Sequence, residues 1–271
     1  MKRIVTSVIL VFFASAMGVS ATGPTQPELP YMDTGPEFTT DRDFSKVPIQ
    51  VGESIRLRAT YLGLTAGYIT ITTNSGTIGN RPLYKLSLKA RTGGMVEYLY
   101  TLEDRFTSYF DRKGLFSWGY DYHQLHNGEN ETRTVRYNHR GGYFTKNGER
   151  KSSIKKYTQD LLSTLYYVRA QDLSEKKRIE FPLQSDDESY DVTLEINRDA
   201  RVATKDGWVD SYEIRPILDK SLHKEAAREH VESISGIRIW LSKDDRRVPL
   251  KISFPATFGH LSAFLEEYRV P

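Results

Sequence analysis

In the stretch WLSKDDRRVPLKI, Trp240 to Ile252, two adjacent carboxylates, Asp244 and Asp245, abut two adjacent guanidiniums, Arg246 and Arg247. Paired carboxylates suit general acid–base chemistry, and paired arginines suit a phosphate clamp. The flanks favour a turn. IRIWL alternates as one strand and VPLKISF as the next, so Lys243 to Arg247 becomes the hairpin connection between them. Aspartate serves turns because its carboxylate accepts from backbone N–H groups two residues on. Pro249 then requires an edge or a bulge, because it offers no N–H to a ladder.

His123 and His126 form a second candidate. Spacing of i,i+3 on a helix would place both imidazoles on one metal, but the surrounding LFSWGYDYHQLHNG is aromatic and strand-like, with no acidic third ligand at suitable spacing. Asp121 with His123 and His126 would be the set for a hydrolase, provided that all three converged in one cleft. His223 and His230 lie in a charged segment without metal spacing. The sequence has no G-x-S-x-G elbow, phosphate-binding glycine loop, H-E-x-x-H or dinucleotide fingerprint. No catalytic residue, metal or cofactor is therefore expected.

These residues need a framework, and composition bounds it. The chain of 271 residues contains no cysteine, which excludes disulfides and thiolate chemistry. Lys2 and Arg3 precede an apolar run from Ile4 to Phe13 and small residues through Ala21, the pattern of a cleaved secretory leader over residues 1–21. The apolar run is short of the roughly 20 residues that span a bilayer. A periplasmic location is expected, with no transmembrane span after the leader. The formal charge of +3 includes Lys2 and Arg3, and both signs are scattered through the remainder, so no nucleic-acid partner is expected. Residues 22–46, rich in Pro, Gly, Thr and Asp, read as an extended or disordered lead-in. Residues 47–271 read as one β-rich domain.

Within that domain, Ile55, Leu57, Ala59 and Tyr61 alternate with Arg56, Arg58 and Thr60. That period of two marks a half-buried strand. GLTAG (63–67) punctuates, and a β-branched strand resumes at Tyr68. Further strands are expected over 84–90, 96–111, 131–139, 142–148, 190–196, 209–218, 235–242, 248–255 and 259–270. Leu161, Leu162, Leu165, Tyr166 and Arg169 recur at helical spacing, which predicts a helix over about 159–172, capped by Thr158 or Asp160. DKSLHKEAAREHVE (219–232) reads as a short helix or a loop.

The stretch VGESIRLRATYLGLTAGYITI (51–71) resembles the opening of the DUF3108 family, exported bacterial proteins of undefined function. The likeness rests on Gly52-Glu53, Tyr61, Gly63 and Ala66-Gly67. It continues in LEDRFTSYFDRKGLFSW (102–118), in the helix carrying Asp160, Leu162, Ser163, Tyr166, Tyr167 and Arg169, and in IWLSKDDRRVPLKI (239–252) with GHLSAFL (259–265). The resemblance implies a mainly β fold: an antiparallel, strongly curved sheet forming an unclosed β-barrel with one covering helix, similar in outline to periplasmic carriers of the LolA/LolB type. It supplies no catalytic residues, and without a cysteine a lipid-anchored form is excluded.

The functional expectation is a non-enzymatic binder of a hydrophobic or lipid-like envelope component, held on the concave face. The residues expected to line it are Leu57, Tyr61, Ile69, Leu86, Tyr100, Leu102, Phe110, Leu165 and Tyr166. The alternatives are an envelope assembly or structural protein that holds a polypeptide partner, or a hydrolase.

Overall fold

The computed structural model describes Arg42, Phe44 and residues 47–271 except 186–187, 205–206, 218–233 and 257–258. The expected leader, nearly all of the lead-in and the charged segment over 219–232 lie outside the described residues.

The described chain forms fourteen strands: β1 (Ser54–Tyr61), β2 (Leu64–Ile78), β3 (Arg81–Thr92), β4 (Leu102–Asp111), β5 (Ser117–His126), β6 (Glu129–Asn138), β7 (Tyr143–Lys146), β8 (Glu149–Ser153), β9 (Arg178–Ser185), β10 (Glu188–Thr204), β11 (Gly207–Ile217), β12 (Arg238–Ser242), β13 (Pro249–Pro255) and β14 (His260–Arg269). A 3₁₀ turn, Gly94–Tyr98, joins β3 to β4, and one α-helix, α1 (Leu161–Arg169), joins β8 to β9. The strands make one antiparallel sheet in the order β8-β7-β6-β5-β4-β3-β2-β1-β14-β13-β12-β11-β10-β9. The last strand thus pairs with the first, and the edges are β8 and β9. The segment between β8 and α1 runs along the remaining gap. Gln159 N–H donates to the Pro182 carbonyl at 2.8 Å, Gln184 N–H donates to the Gln159 carbonyl at 2.9 Å, and Ser117 N–H donates to the Thr158 carbonyl at 3.0 Å. Among the described residues the fold is mainly β, a curved, unclosed antiparallel sheet with α1 as its covering helix, as the resemblance implied.

Alternation explains most of it. Ile55, Leu57 and Ala59 of β1 face the core while Arg58 faces solvent, and Leu86 and Leu88 of β3 do the same against Lys85 and Lys89. The break after β1 is tighter than the GLTAG reading. A two-residue turn, Leu62-Gly63, has positive φ at both positions, and β2 starts at Leu64. Pro249 pairs opposite Leu241 beside a bulge at Leu250 of its own strand, β13, where its missing N–H is tolerated.

At one end, consecutive residues are buried: Leu83 and Tyr84, Tyr109 and Phe110. Both faces are covered there. Ile78, Leu83, Tyr109, Phe116, Trp118 and Tyr157 form a second, smaller core on the outer face. His139 packs edge-on to Phe116, with ring centroids 4.7 Å apart, and shares a 2.6 Å hydrogen bond with the Ser117 carbonyl. Burial holds its pKa down to about 4, against the hydrogen bond that favours the cation. The imidazole is neutral, and its Nε2–H donates to Ser117.

The unfolded chain takes up this proton first as pH falls, so the group stabilises the fold fully above about pH 6.5, and the contribution is lost as pH drops toward about 4. The loss approaches roughly 3 kcal/mol over that window. His139→Gln keeps a donor for Ser117 and removes the titration. Urea unfolding at stepped pH is expected to show the wild-type stability falling between pH 6.5 and 4 relative to this variant.

Candidate functional site: an apolar interior closed by a buried helix

The helix α1 lies across the end of the barrel where β1 and β5 begin and β4 ends. Both its termini are fixed by buried polar groups. At the N-terminus, Asp160 and Ser163 form a reciprocal capping box. Asp160 Oδ1 accepts from the N–H groups of Leu162 and Ser163 at 2.9 and 2.8 Å. Its Oδ2 accepts from the hydroxyls of Ser108 on β4 and Ser117 on β5, each at 2.6 Å. One carboxylate thus starts the helix and ties it to two strands. Burial pushes this carboxyl above its usual range, opposed by the donors from Ser108, Ser117, Ser163 and Leu162.

At the C-terminus, Arg169 is fully buried against Glu53, which is also fully buried. The contact is bidentate: NH1 donates to Oε1 at 2.6 Å and NH2 to Oε2 at 2.7 Å. NH2 also reaches the carbonyls of Pro48 and Arg246, and Tyr268 Oη donates to Glu53 Oε2 at 3.0 Å. Burial works against the guanidinium charge, but Glu53 outweighs it and holds Arg169 above its ordinary pKa. Burial and then Glu53 push Tyr268 up to about 12. Arg247 donates to the Arg169 carbonyl at 2.9 Å, which satisfies one helix-end acceptor. Midway along α1, Thr73 Oγ1 donates to Tyr166 Oη at 2.9 Å.

Between the inner side of α1 and the sheet lies an apolar cavity of about 90 Å3. Leu161, Leu162 and Leu165 form its helical wall, and Ile69, Ile239 and Ile252 are among its strand residues. Among the described residues around it, Thr164 alone carries a polar side chain. Pro216, Ile234 and Ile237 bring the cavity to the end of the barrel opposite α1, where β11 ends and β12 begins.

Of the residues expected to line the concave face, Ile69 and Leu165 border this cavity. Leu57, Leu86, Phe110 and Tyr166 are fully buried in the main core. Tyr100 and Leu102 are buried where β4 begins, beside His126, and Tyr61 is half-buried at the end of β1. The structure therefore groups two of the nine with α1 and the β9–β13 wall. Sequence reading expected the strands that become β10–β13 but named none of their residues as lining, and the segment that becomes β9 carried no recognised signal. It also missed Glu53, Ser108, Ser117 and Tyr268 as partners of the helix, although Glu53 and Arg169 both stood in the quoted blocks.

The hydrolase set does not come together. On β5, His126 lies on the inner face, its Nε2 2.8 Å from the buried Asp104 and its Nδ1 against Gln124. Asp121 and His123 belong to the opposite face, where Asp121 accepts from Tyr109 Oη at 2.6 Å and pairs with Arg136. The strand, with its period of two, separates residues that a helix would have joined. Among the described residues no group of three or more potential metal ligands is found. In the Asp244 stretch, the carboxylate accepts from Ser242, Arg246 and the Arg247 N–H, which is the local bonding of a turn.

These features define a class: an unclosed antiparallel β-barrel with an apolar interior stoppered by one polar-pinned helix. The chain matches the family described as "Protein of unknown function (DUF3108)" over residues 56–266 and belongs to that family. No curated protein matches it. Among solved structures it is similar to a "Beta-barrel-like Protein of Domain of Unknown Function DUF1849" from Brucella abortus, at 10% identity and a TM-score of 0.55, covering 83% of this chain and 100% of that one. A protein of the DUF1089 family from Pseudomonas aeruginosa aligns at 10% identity and a TM-score of 0.40, covering 74% of this chain and 97% of that one.

The Glu53–Arg169 pair carries a direct expectation. Glu53→Gln leaves a buried guanidinium without its counter-charge and is expected to cost about 3–5 kcal/mol. The double variant Glu53→Leu/Arg169→Met removes both charges and is expected to cost less than either single change. Urea midpoints of the wild type, Glu53→Leu, Arg169→Met and the double variant measure this coupling.

Proposed function

We propose that this protein is a non-enzymatic, exported binder of a hydrophobic chain, which enters the cavity between α1 and the sheet end-on. The observation that carries the reading is the lining: apolar side chains of α1 and the facing strands, with Thr164 the one polar side chain among the described lining residues. A dry apolar cavity accepts apolar ligands and does not hold water well. Its volume is below the roughly 150 Å3 that admits a benzene ring, so the fit is to a thin aliphatic chain. The periplasm, reached through the leader over residues 1–21, is the compartment proposed.

Magnitudes set a condition on this reading. Each methylene withdrawn from water contributes about 0.8 kcal/mol. The few methylenes that fit the resting cavity give roughly 3 kcal/mol, weaker than a millimolar complex. Binding a longer chain requires the cavity to widen. Leu161, Ile237 and Ile239 border it and are only partly buried, so they can yield without dismantling the core.

The test is organic extraction and mass spectrometry of the purified protein, with titration of a fluorescent fatty acid. A bound or titratable acyl chain is expected. Ile239→Trp, which fills the cavity from a partly buried position, is expected to weaken probe binding by about tenfold or more at a stability cost of about 1–3 kcal/mol. A protein that carries no lipid and does not bind the probe, or that binds it equally well with Trp at 239, would overturn the proposal.

A further inference from the structure

The end of the barrel opposite α1 breaks two local rules. The first is at the β1–β2 turn. Leu62 has φ +49° and Gly63 φ +81°, the mirror-image turn that favours Asn-Gly. A leucine there is strained by its Cβ, and its side chain is 72% exposed. Neither conformation nor burial accounts for it. The second is the 3₁₀ turn Gly94–Tyr98, which has no buried residue although its sequence is GMVEY. Met95, Tyr98 and Leu99 are each more than two-thirds exposed.

The two segments are neighbours. Gly93 N–H donates to the Ala66 carbonyl at 3.1 Å, and a Cβ on Gly94 would stand 2.9 Å from the Thr65 carbonyl oxygen. The 3₁₀ turn therefore sits against the start of β2, next to Leu64. Leu62, Leu64, Met95, Tyr98 and Leu99 are five of the nine large hydrophobic residues that stand exposed among the described residues. Immediately behind them on the outer face, Arg58 of β1, Tyr68 of β2 and Arg91 of β3 are cross-strand neighbours, with Lys89 one rung further. Arg58, Lys89 and Arg91 are exposed and make no ion pair among the described residues. The one carboxylate in the 3₁₀ turn is Glu97; Glu103, opposite Arg91 on β4, is bonded by Arg105 and also attracts Lys89, so three cations there outnumber the carboxylates.

An apolar tip with a tyrosine, backed by exposed cations, matches the layers of a lipid interface: acyl chains first, then phosphates. We propose that this rim docks the protein onto an anionic lipid bilayer, with Leu62, Leu64, Met95, Tyr98 and Leu99 entering the interface and Arg58, Lys89 and Arg91 meeting the phosphates. The rim and the cavity wall are different residues, so the docking stands whether or not the cavity takes a chain. The cavity reaches the same end of the barrel at Pro216 and Ile237.

The chain has no cysteine, so Tyr98→Cys introduces a single thiol for an environment-sensitive fluorophore. The full chain so labelled is mixed with phosphatidylcholine vesicles, with or without phosphatidylglycerol. The expected result is a blue shift, quenching by brominated acyl chains, and tighter binding to the vesicles that contain phosphatidylglycerol. Because the label reports from the rim, adsorption through residues 1–21 does not produce this signal. In the same labelled background, Leu62→Asn is expected to raise thermal stability by relieving the turn while weakening vesicle binding about tenfold. A merely structural role moves the two readouts together. Arg58→Gln/Arg91→Gln is expected to abolish the preference for phosphatidylglycerol. The proposal is overturned by a label that does not respond to either vesicle, by binding that Leu62→Asn/Met95→Ser/Leu99→Ser leaves unchanged, or by a rim-dependent dimer in light scattering that buries the label without lipid.

Discussion

The ion pair between Arg169 and Glu53 is the contact on which the rest of the structure depends. The two residues are 116 positions apart, both are fully buried, and each is the other's counter-charge. Transferring a single charge to the interior costs several kcal/mol, so neither can be buried alone. Around the pair gather Tyr268 of the last strand, the Pro48 carbonyl before the first strand, and the Arg246 carbonyl of the β12–β13 hairpin. The place where the chain's first and last strands meet is therefore also where the helix is held. An all-apolar contact would offer comparable stability, but it would not fix the end of α1 to one position, whereas a bidentate pair does.

Asp160 performs the matching task at the other terminus of α1. An unclosed sheet has an inner face that only a cover can keep from water. A helix of nine residues is too short to be stable alone. It persists because Ser108, Ser117, Thr73 and Glu53 bond it from four directions. Anchoring by its ends also means that the middle of α1 need not be packed tight. The cavity beneath Leu161, Leu162 and Leu165 is the consequence: position is set by polar contacts, and the apolar space between them stays partly empty.

This division explains what the amino-acid sequence disclosed. Strands with one solvated face, such as β1 and β3, announce themselves through alternation, and α1 through leucines at helical spacing. Where both faces are covered, as at Leu83-Tyr84 and Tyr109-Phe110, the period of two disappears. β8, with the sequence ERKSS, has almost no apolar signal and is a strand because β7 pairs with it. Its charges also suit an edge, since they discourage further strand addition. The Asp244 turn was legible because its bonds are local. Its reach through Arg246 and Arg247 to the end of α1 was not, because that contact spans nearly eighty positions. Arg169 stood in a helical pattern that gave no sign whether its charge would face water or Glu53. The family blocks contained these residues without saying that they meet.

Sequences specify folds through agreement between local preference and global packing, and departures concentrate where something else is selected. This protein departs at both ends of one barrel, in opposite senses. At the α1 end, Glu53, Arg169 and Asp160 are buried with partners that hold the cover in place. At the other end, hydrophobic side chains are exposed, and the fold accounts for none of them. Replacing Leu62 with asparagine would satisfy the turn, and polar residues at 95, 98 and 99 would satisfy the solvent. Burial cannot explain side chains that are not buried, and turn geometry argues against the leucine that is there. The α1 end is complete by itself. The open end has its polar and apolar groups in layers, and layering of that order is satisfied by a second medium, not by water alone.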